Sequence, residues 1–239
     1  VLHTLLRDTS NTPFIVGGKR VKDNVRKALK QMQLFTEKVR QGKWQGYSGK
    51  CITDIVNIGV GGSNLGPQMV TEALKQYSDD SVNVHYVSNV DGTQIANVLR
   101  PLNPENVLFI ISSKTFTTTE TMTNAQTAMR WLVASSFDEA AISKHFIAVS
   151  SNKKNAIEFG IAPENIFDMW DWVGGRFSLW SAIGLPIALG LGFEKFMELL
   201  DGAFEIDCHF KETSLSENAP VILALISVWN CTFLGAQSQ

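Results

Sequence analysis

The residues best equipped for chemistry lie in one stretch, Ile110-Ile111-Ser112-Ser113-Lys114-Thr115-Phe116-Thr117-Thr118-Thr119-Glu120-Thr121. An apolar run, Val107 to Ile111, stops at a cluster of hydroxyls around one lysine, and a helical pattern begins near Glu120. A strand ending this way delivers a ligand to a helix N-terminus. Unpaired N–H groups, hydroxyls and the positive end of the helix dipole there favour a dianion such as phosphate. The plainer alternative is helix capping, because Thr117 followed three residues later by Glu120 matches a capping box. Capping needs one or two hydroxyls. Ser112, Ser113, Thr115, Thr117, Thr118, Thr119 and Thr121 crowd into ten residues, which favours anion binding.

Two further stretches bear on the same chemistry. Gly59-Val60-Gly61-Gly62-Ser63-Asn64-Leu65-Gly66 invites a nucleotide reading but fails both common tests. Asn64 stands where the dinucleotide fingerprint needs its last glycine, and Pro67-Gln68 stands where a Walker loop needs Lys and Ser/Thr. What remains is a backbone able to approach a ligand closely and a Ser63 hydroxyl near a helix start. Two such turns from neighbouring strands could enclose one phosphate. In Trp172-Val173-Gly174-Gly175-Arg176, the arginine follows two glycines at a helix start. It is either a structural arginine bound to carbonyls or to Asp171, or a permanently charged group placed to stabilise an oxyanion. An arginine at a helix N-terminus is disfavoured by the dipole, and Gly174-Gly175 before it clears space for a ligand.

The elements needed to position these residues follow from hydropathy periodicity. Lys19 to about Trp44 is predicted as an amphipathic helix, with Val21, Val25, Ala28, Leu29, Met32, Phe35 and Val39 on one face and solvated Lys and Arg on the other. Before it, Asn11-Thr12-Pro13 and Gly17-Gly18 read as extended segment and turn. Strands are expected at Ile55 to Val60, Val82 to Val87, Val107 to Ile111 and Phe146 to Val149. The intervening helices run from Pro67 to Tyr77, to Leu99, to about Ser135 and to Phe159, and Ala182 to Leu191, Phe193 to about Phe210 and Glu217 to about Phe233 follow. Strand, polar turn and helix repeated in this way mean an α/β fold with a parallel sheet and helices on both faces. Ligands in such sheets sit beyond the carboxyl ends of the strands, where the turns 61–66, 112–119 and 150–152 fall.

Composition bounds the partners. The chain has 239 residues, 44% hydrophobic and 18% charged, the balance of a globular domain with a substantial core. A net charge of -2 with scattered Lys and Arg gives no footprint for nucleic acid or an anionic membrane, and no long transmembrane run is present. Cys51, Cys208 and Cys231 are distant and set among apolar residues, so buried free thiols in a reducing, cytoplasmic compartment are expected. The four histidines show no metal-ligand spacing; neither metal nor cofactor is expected. A first residue of Val, and an end at Gly235-Ala236-Gln237-Ser238-Gln239 directly after a helical pattern, suggest a piece of a longer protein.

Four motifs in order resemble the phosphoglucose isomerase family: the glycine turn Gly59 to Pro67, Val87-Ser88-Asn89-Val90-Asp91-Gly92, Ser113 to Thr121, and Trp172 to Ser181. The resemblance spans the chain. It implies a single sugar isomerase (SIS) domain over 1–239: a helical lead-in at 1–46, a five-stranded parallel sheet in a flavodoxin-like three-layer sandwich at 47–192, and C-terminal helices at 193–239. It also implies interconversion of glucose 6-phosphate and fructose 6-phosphate through a cis-enediol, by an enzyme that is a homodimer at full length. Carried over residue by residue, Ser113, Thr115, Thr118 and the backbone of Lys114 match the family's phosphate loop. Gly62 and Ser63 match the turn that completes the pocket, and Arg176 matches the enediolate-stabilising arginine. The family's proton-shuttling glutamate lies in a segment reading roughly Glu-Ser-Asn-Gly-Lys, which does not occur here. The ring-opening histidine and the later lysine lack counterparts too, and Glu120 is better explained as a capping partner, so the piece is expected to bind without turning over. The alternative from another class is a non-catalytic SIS-domain sensor of sugar phosphates.

Overall fold

The computed structural model describes residues 2–10, 12–16, 19–79 and 81–237. The turn expected at Gly17-Gly18 lies outside the described residues. Two short strands, β1 (Ile15–Val16) and β2 (Lys19–Arg20), pair antiparallel ahead of helix α1 (Val21–Arg40). That pairing delays the helix by two residues relative to its periodicity, and Gly42 at φ +68° lies in the turn that follows it. The polar face of α1 is not wholly solvated as expected: Lys22 is buried, with its ammonium 2.8 Å from Asp8 and hydrogen-bonded to the carbonyls of Ser10 and Thr12.

Five parallel strands make the main sheet: β3 (Asp54–Ile58), β4 (Asn83–Val87), β5 (Val107–Ser112), β6 (Phe146–Ser150) and β7 (Ile166–Asp168). Their spatial order is β4-β3-β5-β6-β7. The first crossover runs outward from β3 to β4, and the chain then returns to place β5 on the other side of β3. This is the flavodoxin-like doubly wound order, whose ligand crevice opens between the two strands at the reversal, here β3 and β5. β7 was not visible as a strand in the periodicity, because it is only three residues long.

Alternate residues of each strand feed two apolar layers. Ile55, Leu108, Ile110, Ile147, Val149 and Phe167 pack on one face with Met32 and Val39 of α1 and with α7 (Leu185–Leu191) and α8 (Phe193–Glu212). Val56, Ile58, Phe109, Ile111 and Ala148 pack on the other with α3 (Gly92–Leu99), α4 (Thr119–Ser136) and α6 (Lys153–Glu158). Helix α2 (Leu65–Ala73) joins the first layer through Val70 and begins before Pro67, with a 3-10 turn at Lys75–Tyr77 completing the predicted length. The apolar segment 182–191 divides into a 3-10 turn, Ala182–Gly184, and α7, which carries Pro186 in its first turn, where the missing N–H costs nothing. A short α5 (Ile142–His145) precedes β6.

The three cysteines are free, as expected, but not buried. Cys51 and Cys231 are exposed and Cys208 is half-buried, because they lie on the approach to β3 and on the last two helices rather than in the sheet layers. The final helix, α9 (Ala219–Thr232), has no buried residue, and Leu223, Leu225, Val228 and Trp229 are more than half exposed. Among the described residues no helix is long and apolar enough to cross a membrane, and no group of three or more His, Cys, Asp or Glu could hold a metal.

Candidate functional site

The turns after β3, β5, β6 and β7 meet at the carboxyl edge of the sheet, and buried side chains tie them together. Asn57, fully buried on β3, accepts a hydrogen bond from the Ser112 hydroxyl at 2.8 Å and donates to the Ser63 carbonyl at 3.0 Å. One side chain thus joins the glycine turn to the hydroxyl loop across the crevice. The glycines of that turn are needed for close approach. A Cβ on Gly59 would lie 2.8 Å from the Ser63 Cβ and 3.0 Å from the Ser112 carbonyl, and one on Gly62 would overlap the Gly175 carbonyl and lie 3.1 Å from the Arg176 nitrogen. The glycine turn therefore touches the Arg176 segment backbone to backbone.

The hydroxyl loop folds on itself. Ser113 is buried; its hydroxyl lies 3.4 Å from that of Thr118 and accepts from the Phe116 N–H at 3.1 Å. Phe116 adopts a left-handed conformation, φ 55°, unusual for a residue with a Cβ. Burial of its ring against Phe159 offsets that strain, centroids 5.9 Å apart, and holds the loop in a conformation a free chain would avoid. The capping box does not form. Thr118, not Thr117, is the N-cap of α4; its side chain makes no capping bond, and the Thr117 hydroxyl donates to that of Thr115 at 2.8 Å. With no side-chain cap at Thr118, the first N–H groups of α4 are left to other partners, beside a loop rich in hydroxyls.

Arg176 is exposed, the second residue of a 3-10 turn, Gly175–Trp180. Among the described residues its guanidinium has no hydrogen bond or ion pair; it lies 5.0 Å from the centroid of the Phe177 ring, which in turn stacks on His3. The structural alternative, a bond to Asp171 or to carbonyls, is therefore not realised. Trp170 and Trp172 stack on each other at 5.0 Å and Trp180 lies under Arg7, so all three pack.

Sequence reasoning missed two supports of this site: Asn57, and the side chain of Lys114, whose ammonium donates to the Asp171 carbonyl at 2.7 Å. Asn57 sits inside an apolar run, and a lone polar residue in a buried strand is the signal that would have found it. His145, missed as well, is fully buried at the opposite, amino end of β5 and β6, with Nδ1 2.6 Å from the Val107 carbonyl and Nε2 2.8 Å from the Tyr47 amide nitrogen. A backbone N–H can only donate, so Nε2 accepts and Nδ1 carries the proton: the ring is neutral. Burial holds its pKa below the ordinary 6.5, outweighing the opposing effect of the Val107 carbonyl.

Fold and site together define a doubly wound α/β domain of the sugar-isomerase type, with a cluster of hydroxyls and a glycine turn at its switch point. The sequence profile of phosphoglucose isomerase matches residues 1–239. Glucose-6-phosphate isomerase 1 of Colwellia psychrerythraea (strain 34H) is 71% identical over the whole of this chain, and the glucose-6-phosphate isomerase of Pseudoalteromonas translucida (strain TAC 125) is 61% identical. The chain spans 44% of the length of each. A crystal structure of a glucose-6-phosphate isomerase from Chlamydia trachomatis D/UW-3/Cx superposes with a TM-score of 0.84 at 28% identity, covering 98% of this chain and 43% of that one. The chain belongs to the phosphoglucose isomerase family.

Proposed function

We propose that this chain is the phosphate-anchoring half of a glucose-6-phosphate isomerase, which interconverts glucose 6-phosphate and fructose 6-phosphate by proton transfer through an enediol. The observation that carries the reading is the junction of three features at one crevice: the uncapped hydroxyl loop, the glycine turn bound to it through Asn57, and the unpaired Arg176 against Gly62. Ser113, Thr115 and Thr118, the backbone of Lys114, and Gly62 with Ser63 hold the substrate phosphate. Hydroxyls and N–H groups can follow its charge without a cation, and the α4 dipole adds to them. Arg176 lies toward the reacting carbons. Its charge is not spent on a carboxylate, so it is available to the enediolate oxygen as negative charge develops there.

Moving a proton between adjacent carbons needs a base within reach of both. Glu120, in the first turn of α4, is exposed and on the anion-binding side, where a second negative charge would oppose the phosphate. The base therefore comes from the part of the relatives' length that this chain does not span. The bare apolar side chains of α9 fit this reading, since a helix apolar on all sides is ordinarily buried against more protein. The full-length protein is then the catalyst, as a homodimer, and the 239-residue chain binds sugar phosphate without turnover. The test is paired: full-length protein is assayed for fructose 6-phosphate isomerisation, and the 239-residue chain is assayed and titrated with a sugar-phosphate inhibitor. An inactive full-length protein, or turnover at an ordinary enzymatic rate by the 239-residue chain, removes the reading.

A further inference from the structure

We propose that Lys114 is a positioning residue, whose ammonium ties the phosphate-anchoring loop to the segment carrying Arg176 and so fixes the span between the substrate's phosphate and its reacting carbons. The proposal rests on the functional reading above. A lone lysine among hydroxyls invites the assumption that its charge meets the phosphate. Its geometry points elsewhere: Nζ donates to the Asp171 carbonyl at 2.7 Å and to the Val173 carbonyl at 3.2 Å. An ammonium has three donors, so at most one remains for another acceptor.

The other end of the residue is held as firmly. The Lys114 carbonyl accepts from the Ser150 hydroxyl at 3.0 Å, the Ser151 hydroxyl at 2.7 Å and the Ser151 amide at 3.0 Å. One residue thus joins three turns: its own after β5, that after β6 through the carbonyl, and that after β7 through the ammonium. The third is the one that leads to Arg176. Gly174 and Gly175 follow directly after Val173, and nothing lies within 4 Å of where a Gly175 Cβ would be, so the link from 173 to 176 has little side-chain packing of its own. Since the guanidinium has no hydrogen bond among the described residues, only the neighbouring Phe177 ring, 5.0 Å away, and its backbone set its location. That backbone is held on one side by the Gly62 contact and by the Ser178 hydroxyl, which donates to the Gly175 carbonyl at 2.6 Å, and on the other by the buried Val173, which Lys114 grips. Loss of the grip lets the Arg176 segment drift from the oxyanion while leaving the phosphate hydrogen bonds intact.

The test is a double-mutant cycle on the full-length protein with fructose 6-phosphate as substrate, kinetics being normalised to the folded fraction. Lys114→Met is expected to lower kcat by about 10- to 100-fold, the effect of misplacing a catalytic group by around an ångström, with KM changed less than about threefold. In an Arg176→Gln background the same substitution is expected to lower kcat by less than about twofold, because the two residues act as one unit. Lys114→Gln, which keeps two donors on a shorter stem, should fall between wild type and Lys114→Met, and serves where the Met variant does not fold. A rise in KM with kcat held would overturn the proposal, since the ammonium would then bind phosphate. So would full multiplicative losses in the double mutant, or a lowered melting temperature with both kinetic constants unchanged. An inactive wild type is a separate result: it removes the isomerase reading, and this proposal with it.

Discussion

Asn57 offers the most exposing perturbation of the site, because its effect can be worked from two distances. Asn57→Ala removes the acceptor of the Ser112 hydroxyl, at 2.8 Å in the buried interior, and the donor to the half-buried Ser63 carbonyl, at 3.0 Å. A buried polar group left without a partner costs about 1–3 kcal/mol, and the half-buried Ser63 carbonyl adds less, so the substitution should destabilise by roughly 1–4 kcal/mol. Ser112→Ala removes only the first bond and should cost about 1–3 kcal/mol. The double mutant loses that bond only once. Its destabilisation should fall short of the sum of the single mutants by about 1–3 kcal/mol, the part counted twice. Urea unfolding with the m-value monitored separates this from a change in the denatured state. Because the bridge also sets the spacing of the two phosphate turns, Asn57→Ala should weaken binding of a sugar-phosphate inhibitor as well. If the two substitutions add to within about 0.5 kcal/mol, the bridge is not an energetic unit and the reasoning fails.

Other predictions follow from single features. Gly62→Ala must displace the Gly175 carbonyl, a backbone atom, so the melting temperature should fall and kcat of the folded fraction should fall with it; an unaltered kcat would mean that the close contact is not needed. His145 makes stability depend on pH. Its folded pKa lies below 6.5, so the unfolded chain takes up the proton first: the contribution is full above pH 6.5 and is lost as pH falls from there toward the folded value. For one proton the slope is at most about 1.4 kcal/mol per pH unit, and His145→Gln should flatten that limb of the melting profile; an unchanged slope would contradict the neutral-ring assignment.

Much of the frame was readable in the chain because strong local signals wrote it. Continuous apolar runs such as Val107 to Ile111 mark strands buried on both faces, and the polar turns after them fall where a doubly wound sheet places ligands. What local pattern could not show were contacts between distant residues. Lys114 meets carbonyls 57 and 59 positions away, and nothing near it in sequence announces that its charge is directed away from the hydroxyls. The capping box matched locally but gave way, because the loop's fold is set by burial of Phe116 in a left-handed conformation. The cysteines misled because apolar neighbours mark burial only where an element packs on both sides. On α9 the neighbours are apolar and the helix is bare. β7 was too short to carry a period, and only the resemblance supplied the fifth strand.

The central claim is that the loop from Ser113 to Thr118 anchors the phosphate, and the Michaelis constant of one variant tests it most directly. Ser113→Ala combined with Thr118→Ala in the full-length protein removes the two hydroxyls that lie 3.4 Å apart at the head of α4. Each hydrogen bond to a charged group contributes about 1.5–3 kcal/mol, so KM for fructose 6-phosphate should rise by at least about 100-fold. The fall in kcat should be much smaller. A KM equal to that of the unaltered protein would place the phosphate elsewhere and contradict the account.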